Sequence, residues 1–186
     1  MEAMAATTRT PRERWVEEGL RALAAGGPDA VRVDVLAKEL GVSRGGFYWQ
    51  FGSRQALLEE LLDAWERTSV DEVIARIEAE GGDGRAKLRS LFGIAAERRS
   101  VLAVDLAVRD WARRDSAVAA RLRRVDNRRM EYMRGLFGEF VDDPDEVEAR
   151  CTIIFSIFVG SEFVRFDHGG RRRRAVLDQA LERQLA

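Results

Sequence analysis

At 186 residues, 46% of them hydrophobic and 34% charged, with a formal net charge of −1, the chain has the make-up of a folded protein and not of a disordered polyelectrolyte. Up to Phe51 seven Lys and Arg face seven Asp and Glu, so any grip on a polyanion must come from where charge is placed. No apolar run approaches the roughly 20 residues of a membrane span. The single cysteine, Cys151, excludes an intrachain disulfide and a cysteine-built zinc cluster. Met1–Thr10 lacks the apolar centre of a signal peptide and reads as a short polar arm, flexible over 1–9, so a cytoplasmic location is expected.

Three prolines and an abundance of Ala, Leu, Glu and Arg favour an all-α fold. Thr10-Pro11-Arg12-Glu13 predicts a helix start, with Thr10 as cap, Pro11 at the first helical position and Glu13 closing a capping box. Trp15, Val16, Leu20 and Leu23 recur at helical spacing until Gly26-Gly27-Pro28 stops the pattern. A short helix over Val33–Leu40 ends at Gly41. Ser43 caps another through Phe51, and Gly52-Ser53 resets the chain into a fourth. Three helices on turns of a few residues, the middle turn carrying Gly, make a helix-turn-helix unit.

The fourth helix, marked by Leu57, Leu58, Leu61, Leu62 and Trp65, is expected to kink near Ser69, because Ser69-x-x-Glu72 is itself a capping box. Gly81-Gly82-Asp83-Gly84 is a loop. Helices then follow on Leu88, Leu91 and Phe92, on Leu102, Leu106 and Trp111, and on the long series from Val118 to Phe140. Asp143-Pro144 opens another, whose stretch 151–159 is apolar nearly all round and must be covered on more than one side. That cover is either a fully buried place in this chain or a four-helix bundle with a second copy. A last helix runs from after His168-Gly169-Gly170 to Leu185.

At the beginning of the third helix, Gly45-Gly46 costs helix stability, about 1 kcal/mol each relative to Ala. The pair suits either close approach of backbone to a groove or a tight turn. Ser43 can cap the helix and offer its amide to a phosphate. Arg44 matches guanine in the major groove or, equally, a phosphate. Phe47 and Phe51 are expected in the core.

The run VDVLAKELGVSRGGFYWQFGSRQALL at 33–58 resembles the signature of the TetR family of bacterial transcriptional regulators. The elements that carry the resemblance are Leu36-Ala37, Gly41-Val42-Ser43, Tyr48-Trp49-Gln50-Phe51, Ser53-Arg54 and Leu57-Leu58. It implies a DNA-binding domain over 1–53 and a ligand-sensing, dimerising domain over 54–186. Tyr48 would offer its hydroxyl to phosphate. Trp49 stands where the family often has His, its indole N–H serving as donor. Arg54 matches a family Lys that holds the DNA backbone. Arg32 departs from the usual Thr or Ser and would replace a hydroxyl contact to phosphate with a guanidinium.

The resemblance further implies a ligand cavity in the second half and pairing of the last two long helices across a two-fold axis. Phe92, Leu106, Trp111, Met130, Met133, Phe137, Phe155 and Phe158 are its candidate walls, or plain core. Adaptable Met beside aromatics suits a small apolar or aromatic molecule. Arg109, Asp110 and Arg113 flank Trp111 and are placed to orient a polar group. Arg171–Arg174 is either a second basic patch or a solvated or ion-paired turn. No cofactor is implied. An enzyme is not expected, since the one histidine, His168, sits in a Gly-rich loop read as exposed, and no nucleophile has a base nearby. The expected function is a repressor that binds an inverted-repeat operator as a homodimer and is released by its ligand. The rival is a helical ligand- or partner-binding protein without operator repression.

Overall fold

The computed structural model describes residues 11–97, 99–164 and 166–186, and no strand occurs among them. The polar arm and the Thr10 cap lie outside the described residues. The helices are α1 (Arg12–Gly26), α2 (Val33–Glu39), α3 (Arg44–Phe51), α4 (Arg54–Glu66), α5 (Glu72–Glu80), α6 (Gly84–Glu97), α7 (Arg99–Ala112), α8 (Ser116–Phe137), α9 (Pro144–Phe163) and α10 (Arg173–Leu185). They form two compact units: the chain up to Glu72 with the segment ending at Arg123, and Val73–Glu97 with Arg124–Ala186.

In the first unit α1 packs on α4 and α7. Its buried face is Trp15, Gly19 and Leu23. Gly19 is there because a Cβ would stand 2.8 Å from Leu61 Cδ2, and Leu61 is itself fully buried. Leu57, Leu58, Leu61, Leu62 and Trp65 of α4 close this core together with Val104, Val108 and Trp111 of α7. Pro11 stands one place before the helix, with φ −56° and ψ 148°, and not at its first position. Gly27, at φ 70°, ends α1 through its N–H on the Leu23 carbonyl, as the sequence predicts.

α4 does not restart at a capping box near Ser69. It passes through a π-helical stretch, Arg67–Asp71, into α5. The Ser69 hydroxyl is buried with no hydrogen-bond partner, while Thr68 Oγ1 donates to the Ala64 carbonyl at 2.9 Å. A hydroxyl spent on the preceding turn competes with the regular ladder and goes with local unwinding.

The second unit is built on Leu88, Met133, Leu136, Phe137, Val147, Cys151, Ile154 and Leu185. Asp143 Oδ1 caps α9 by accepting from the Asp145 N–H at 3.0 Å, as the sequence predicts. α10 is tied at its end: Arg85 Nε donates to the Leu185 carbonyl at 2.7 Å, and Arg150 to that of Gln184 at 2.6 Å. Within the 151–159 stretch Cys151 and Ile154 are buried, but Ile153 is 44% exposed. A fully buried helix within the one chain is therefore not what α9 forms. His168, read as exposed, is half-buried with its ring 4.5 Å from that of Phe166.

Candidate nucleic-acid interface

The turn between α2 and α3 is set by Gly41, at φ 68°, and by the Val42 N–H on the Ala37 carbonyl at 2.9 Å. Ser43 then takes the N-cap position with extended backbone. Its hydroxyl makes no capping bond; the first turn closes instead by the Gly46 N–H on the Ser43 carbonyl at 3.3 Å. Ser43 itself is exposed at the start of the helix.

Phe47 and Phe51 face the core at 0% and 6% exposure and stack 5.1 Å apart. Trp15 leans on Phe47 at 5.4 Å, and Tyr48 meets the same ring edge-on at 5.2 Å. This ladder fixes the rotation of α3 and so decides what it shows outward. Arg44, Gly45, Tyr48 (55%) and Trp49 (72%) are exposed, and Gly46 half so. Arg44 makes no hydrogen bond or ion pair among the described residues. Arg32 is exposed at the N-cap of α2 and pairs with Asp34 at 3.0 Å.

Arg54 is placed differently from the others. Its Nε donates to the Val31 carbonyl at 2.7 Å and its guanidinium also reaches the Pro28 carbonyl, so it ties the start of α4 to the turn after α1. Sequence reasoning did not find a second such tie. Arg12 donates to Glu60 at 2.8 and 2.9 Å, reaches the Gln50 carbonyl at the end of α3, and lies 4.2 Å over the Phe51 ring. The Glu60 hydrogen bond holds the Arg12 pKa above its ordinary value. Both ties span more than twenty residues, and local pattern carries no signal for them.

Of the ligand candidates, Phe92, Met130, Met133, Phe137, Phe155 and Phe158 fall in the second unit. Met133 and Phe137 are core there; Phe92, Met130 and Phe155 pack against it, and Phe92 meets Phe158 edge-on at 6.4 Å. Leu106 and Trp111 belong to the first unit. Arg109 is committed to Asp105 at 2.9 Å, Asp110 pairs with Arg114, and Arg113 is exposed.

The second unit also carries an open groove of about 490 Å³ whose lining includes Glu78, Lys87, Arg128, Glu131, Tyr132 and Glu139, none of them a predicted ligand wall. Lys87 and then the Tyr132 hydroxyl, 2.7 Å away, hold the Glu78 carboxyl below its usual range. Arg173 reaches the Ser161 carbonyl and Arg174 pairs with Asp178 at 2.8 Å, so these two arginines of the 171–174 run are ion-paired or backbone-bound. Among the described residues no cluster of His, Cys, Asp and Glu could hold a metal, and no helix is long and apolar enough to cross a membrane.

No curated protein matches the sequence. Residues 16–61 match the tetR family of bacterial regulatory proteins. Among solved structures, a putative transcriptional regulator from Saccharomonospora viridis in complex with choline is similar at 18% identity and a TM-score of 0.73, over 92% of this chain and 93% of that one. A ketosteroid transcriptional regulator of Mycobacterium tuberculosis is similar at 18% identity and 0.65, over 98% and 97%. A fatty acid degradation regulator from Bacillus halodurans is similar at 17% identity and 0.66, over 95% and 98%. At these identities the structures speak for the fold, and the match at 16–61 speaks for the helix-turn-helix. The helix-turn-helix segment is thus similar to the tetR family of bacterial regulatory proteins, and the all-α architecture is shared with solved transcriptional regulators.

Proposed function

We propose that the protein is a ligand-responsive transcriptional repressor that holds an inverted-repeat operator as a homodimer and releases it when a small apolar or aromatic molecule binds. The observation that carries the reading is the outward face of α3. Phe47 and Phe51 lock the helix, while Arg44, Tyr48 and Trp49 stand in solvent beside a bare glycine pair. Arg44 would read guanine. Ser43, with its uncommitted hydroxyl, and Tyr48 would meet phosphates, with Arg32 flanking them. Arg54 would act by holding the α1–α2 turn in place, a role its two backbone carbonyls favour over a phosphate contact.

Pairing of two copies is supported by α9, which leaves Ile153 exposed in the middle of an apolar stretch. Sensing is supported by the aromatic and methionine side chains gathered around the second unit's core. The names of the similar proteins, one bound to choline and one a fatty acid degradation regulator, agree with a small organic effector. The effector would act by favouring a spacing of the two reading heads that no longer fits successive major grooves.

Band-shift titration of the full chain on its own flanking intergenic DNA tests this, with and without candidate apolar and aromatic molecules. Dimeric binding that weakens steeply with salt is expected. No shift at low salt would favour a helical ligand- or partner-binding protein instead.

A further inference from the structure

The outermost line of α3 carries one side chain, and it is an indole. Phe47 and Phe51 mark the core-facing side. At about 100° per residue the opposite line runs through Gly45 and Trp49, four residues apart. Trp49 is 72% exposed, more than any other large apolar side chain among the described residues. Trp49 follows Gly45 by one turn on this line, and no indole atom lies within 4 Å of where a Cβ on Gly45 or Gly46 would stand.

Neither glycine is required by the fold. Neither has a positive φ. A Cβ on Gly46 would meet nothing within 4 Å, and one on Gly45 only Ser43 Oγ at 3.8 Å. A tight turn is thus not the reason for the pair, and the bare backbone leaves room for close approach from outside.

The sequence of α3, RGGFYWQF, holds no Asn, Ser, Thr or Lys, and its Gln50 is half-buried at the Arg12 end. Besides Arg44, the exposed hydrogen-bonding groups of this helix are the Tyr48 hydroxyl and the Trp49 indole N–H, and the broad face of that indole is apolar. In the major groove the apolar feature of a base edge is the C5-methyl of thymine. Resting on the DNA-binding reading above, we propose that Trp49 is a specificity-determining residue that reads thymine through its C5-methyl group in each half-site, beside the bare backbone of Gly45 and Gly46.

The test begins by selecting duplexes from a randomised library with the full chain. Each thymine of the selected half-site is then replaced singly by uracil, which removes only the methyl. One or two positions should cost the wild-type chain about 3-fold or more in affinity, the worth of one buried methyl group. In Trp49→Ala the same replacements should cost almost nothing, while the Arg44-dependent guanine preference persists. Trp49→His, which keeps an N–H donor, should lose the methyl effect as well. An equal uracil penalty in wild type and Trp49→Ala overturns the proposal. So does a uniform loss across all duplexes, which would mark Trp49 as a backbone contact. If Trp49→Ala fails to fold, the wild-type uracil scan decides alone: no sensitive thymine, no methyl reading. Selection of no duplex at all would remove the DNA-binding reading itself, and this inference with it.

Discussion

Trp65 Nε1 donates to Asp105 Oδ1 at 3.1 Å, and Arg109 Nε meets the other oxygen of the same carboxylate at 2.9 Å. Asp105 is 3% exposed and joins α4 to α7 in the middle of the first unit's core. A carboxylate survives there because both oxygens are used and the charge is matched. Asp105→Ala takes that acceptor from a buried indole and a nearly buried guanidinium, and should lower unfolding stability by about 3 kcal/mol. Asp105→Asn keeps an acceptor for Trp65 but not the charge, and should lose roughly half as much. Urea denaturation followed by tryptophan fluorescence reads both as midpoint shifts at constant slope. A loss under about 1 kcal/mol for Asp105→Ala would mean the network is not what binds α4 to α7.

Gly45 and Gly46 set stability against function in one short helix. Added methyl groups would find open space and ordinary helical backbone. Gly45→Ala and Gly46→Ala should therefore stabilise the fold, each by up to about 1 kcal/mol. Both should at the same time weaken operator binding, because the groove must then accommodate a Cβ. Thermal unfolding and anisotropy titration on the same samples check the opposed signs. Variants with unchanged DNA affinity would show that α3 does not approach the groove along this line.

What the sequence made legible was local. The Gly27 and Gly41 stops, the Asp143 cap and the buried Phe47 and Phe51 all follow from residues within a turn or two of one another. The rest depended on distance in the chain. Arg54 carries a motif position that suggests phosphate, yet its partners lie more than twenty residues upstream. Arg12 looks like an ordinary first-turn residue until Glu60 and Gln50 are folded against it. Asp105 falls on the buried face of α7, and no neighbour in sequence announces that Trp65 waits opposite. Ser69 and Glu72 have the spacing of a capping box, but a cap works only where a helix begins, and here the backbone runs on through a π-helical stretch.

The different settings of Arg44 and Arg54 predict different phenotypes. Arg44→Ala removes an exposed guanidinium that has no partner among the described residues. It should leave the melting temperature unchanged while reducing affinity for the preferred duplex by about 1–3 kcal/mol if it reads guanine. Arg54→Ala removes donors from two backbone carbonyls and should lower the melting temperature first. Its DNA affinity should recover where the fold is rescued by an osmolyte. If Arg54→Ala instead keeps full stability and reduces the salt slope of binding by about 1, Arg54 is a phosphate contact after all.

Several surface carboxylates of the second unit are held below their usual range: Glu148 by its hydrogen bonds to Arg134, Glu182 by those to Arg89, and Glu78 by Lys87. A carboxyl whose folded pKa lies below its unfolded value gives stability that is complete above the unfolded value, here 4.5, and lost as pH falls through the folded one. The melting temperature should therefore drop below about pH 4.5, and less so in high salt, which already screens these exposed pairs. Glu148→Gln combined with Glu182→Gln should flatten the acid limb. An acid limb unchanged in that double variant would place the sensitivity elsewhere.

Ile153 stands 44% exposed on α9 while Cys151 and Ile154, on the same helix, are sealed. The neighbouring thiol shares that burial, which pushes its pKa up to about 11, so Cys151 should resist alkylation in the folded protein at neutral pH. Substituting Ile153 therefore changes a surface without opening the core. If α9 pairs with its copy, Ile153→Glu puts like charges into the shared apolar face, and the repulsion and desolvation should shift the protein from dimer to monomer. Far-UV circular dichroism and Cys151 protection should stay as in the wild type, showing that the unit is still folded. Sedimentation equilibrium reads the mass. A dimer that persists with Ile153→Glu would take α9 out of the interface, and the apolar stretch would need another cover.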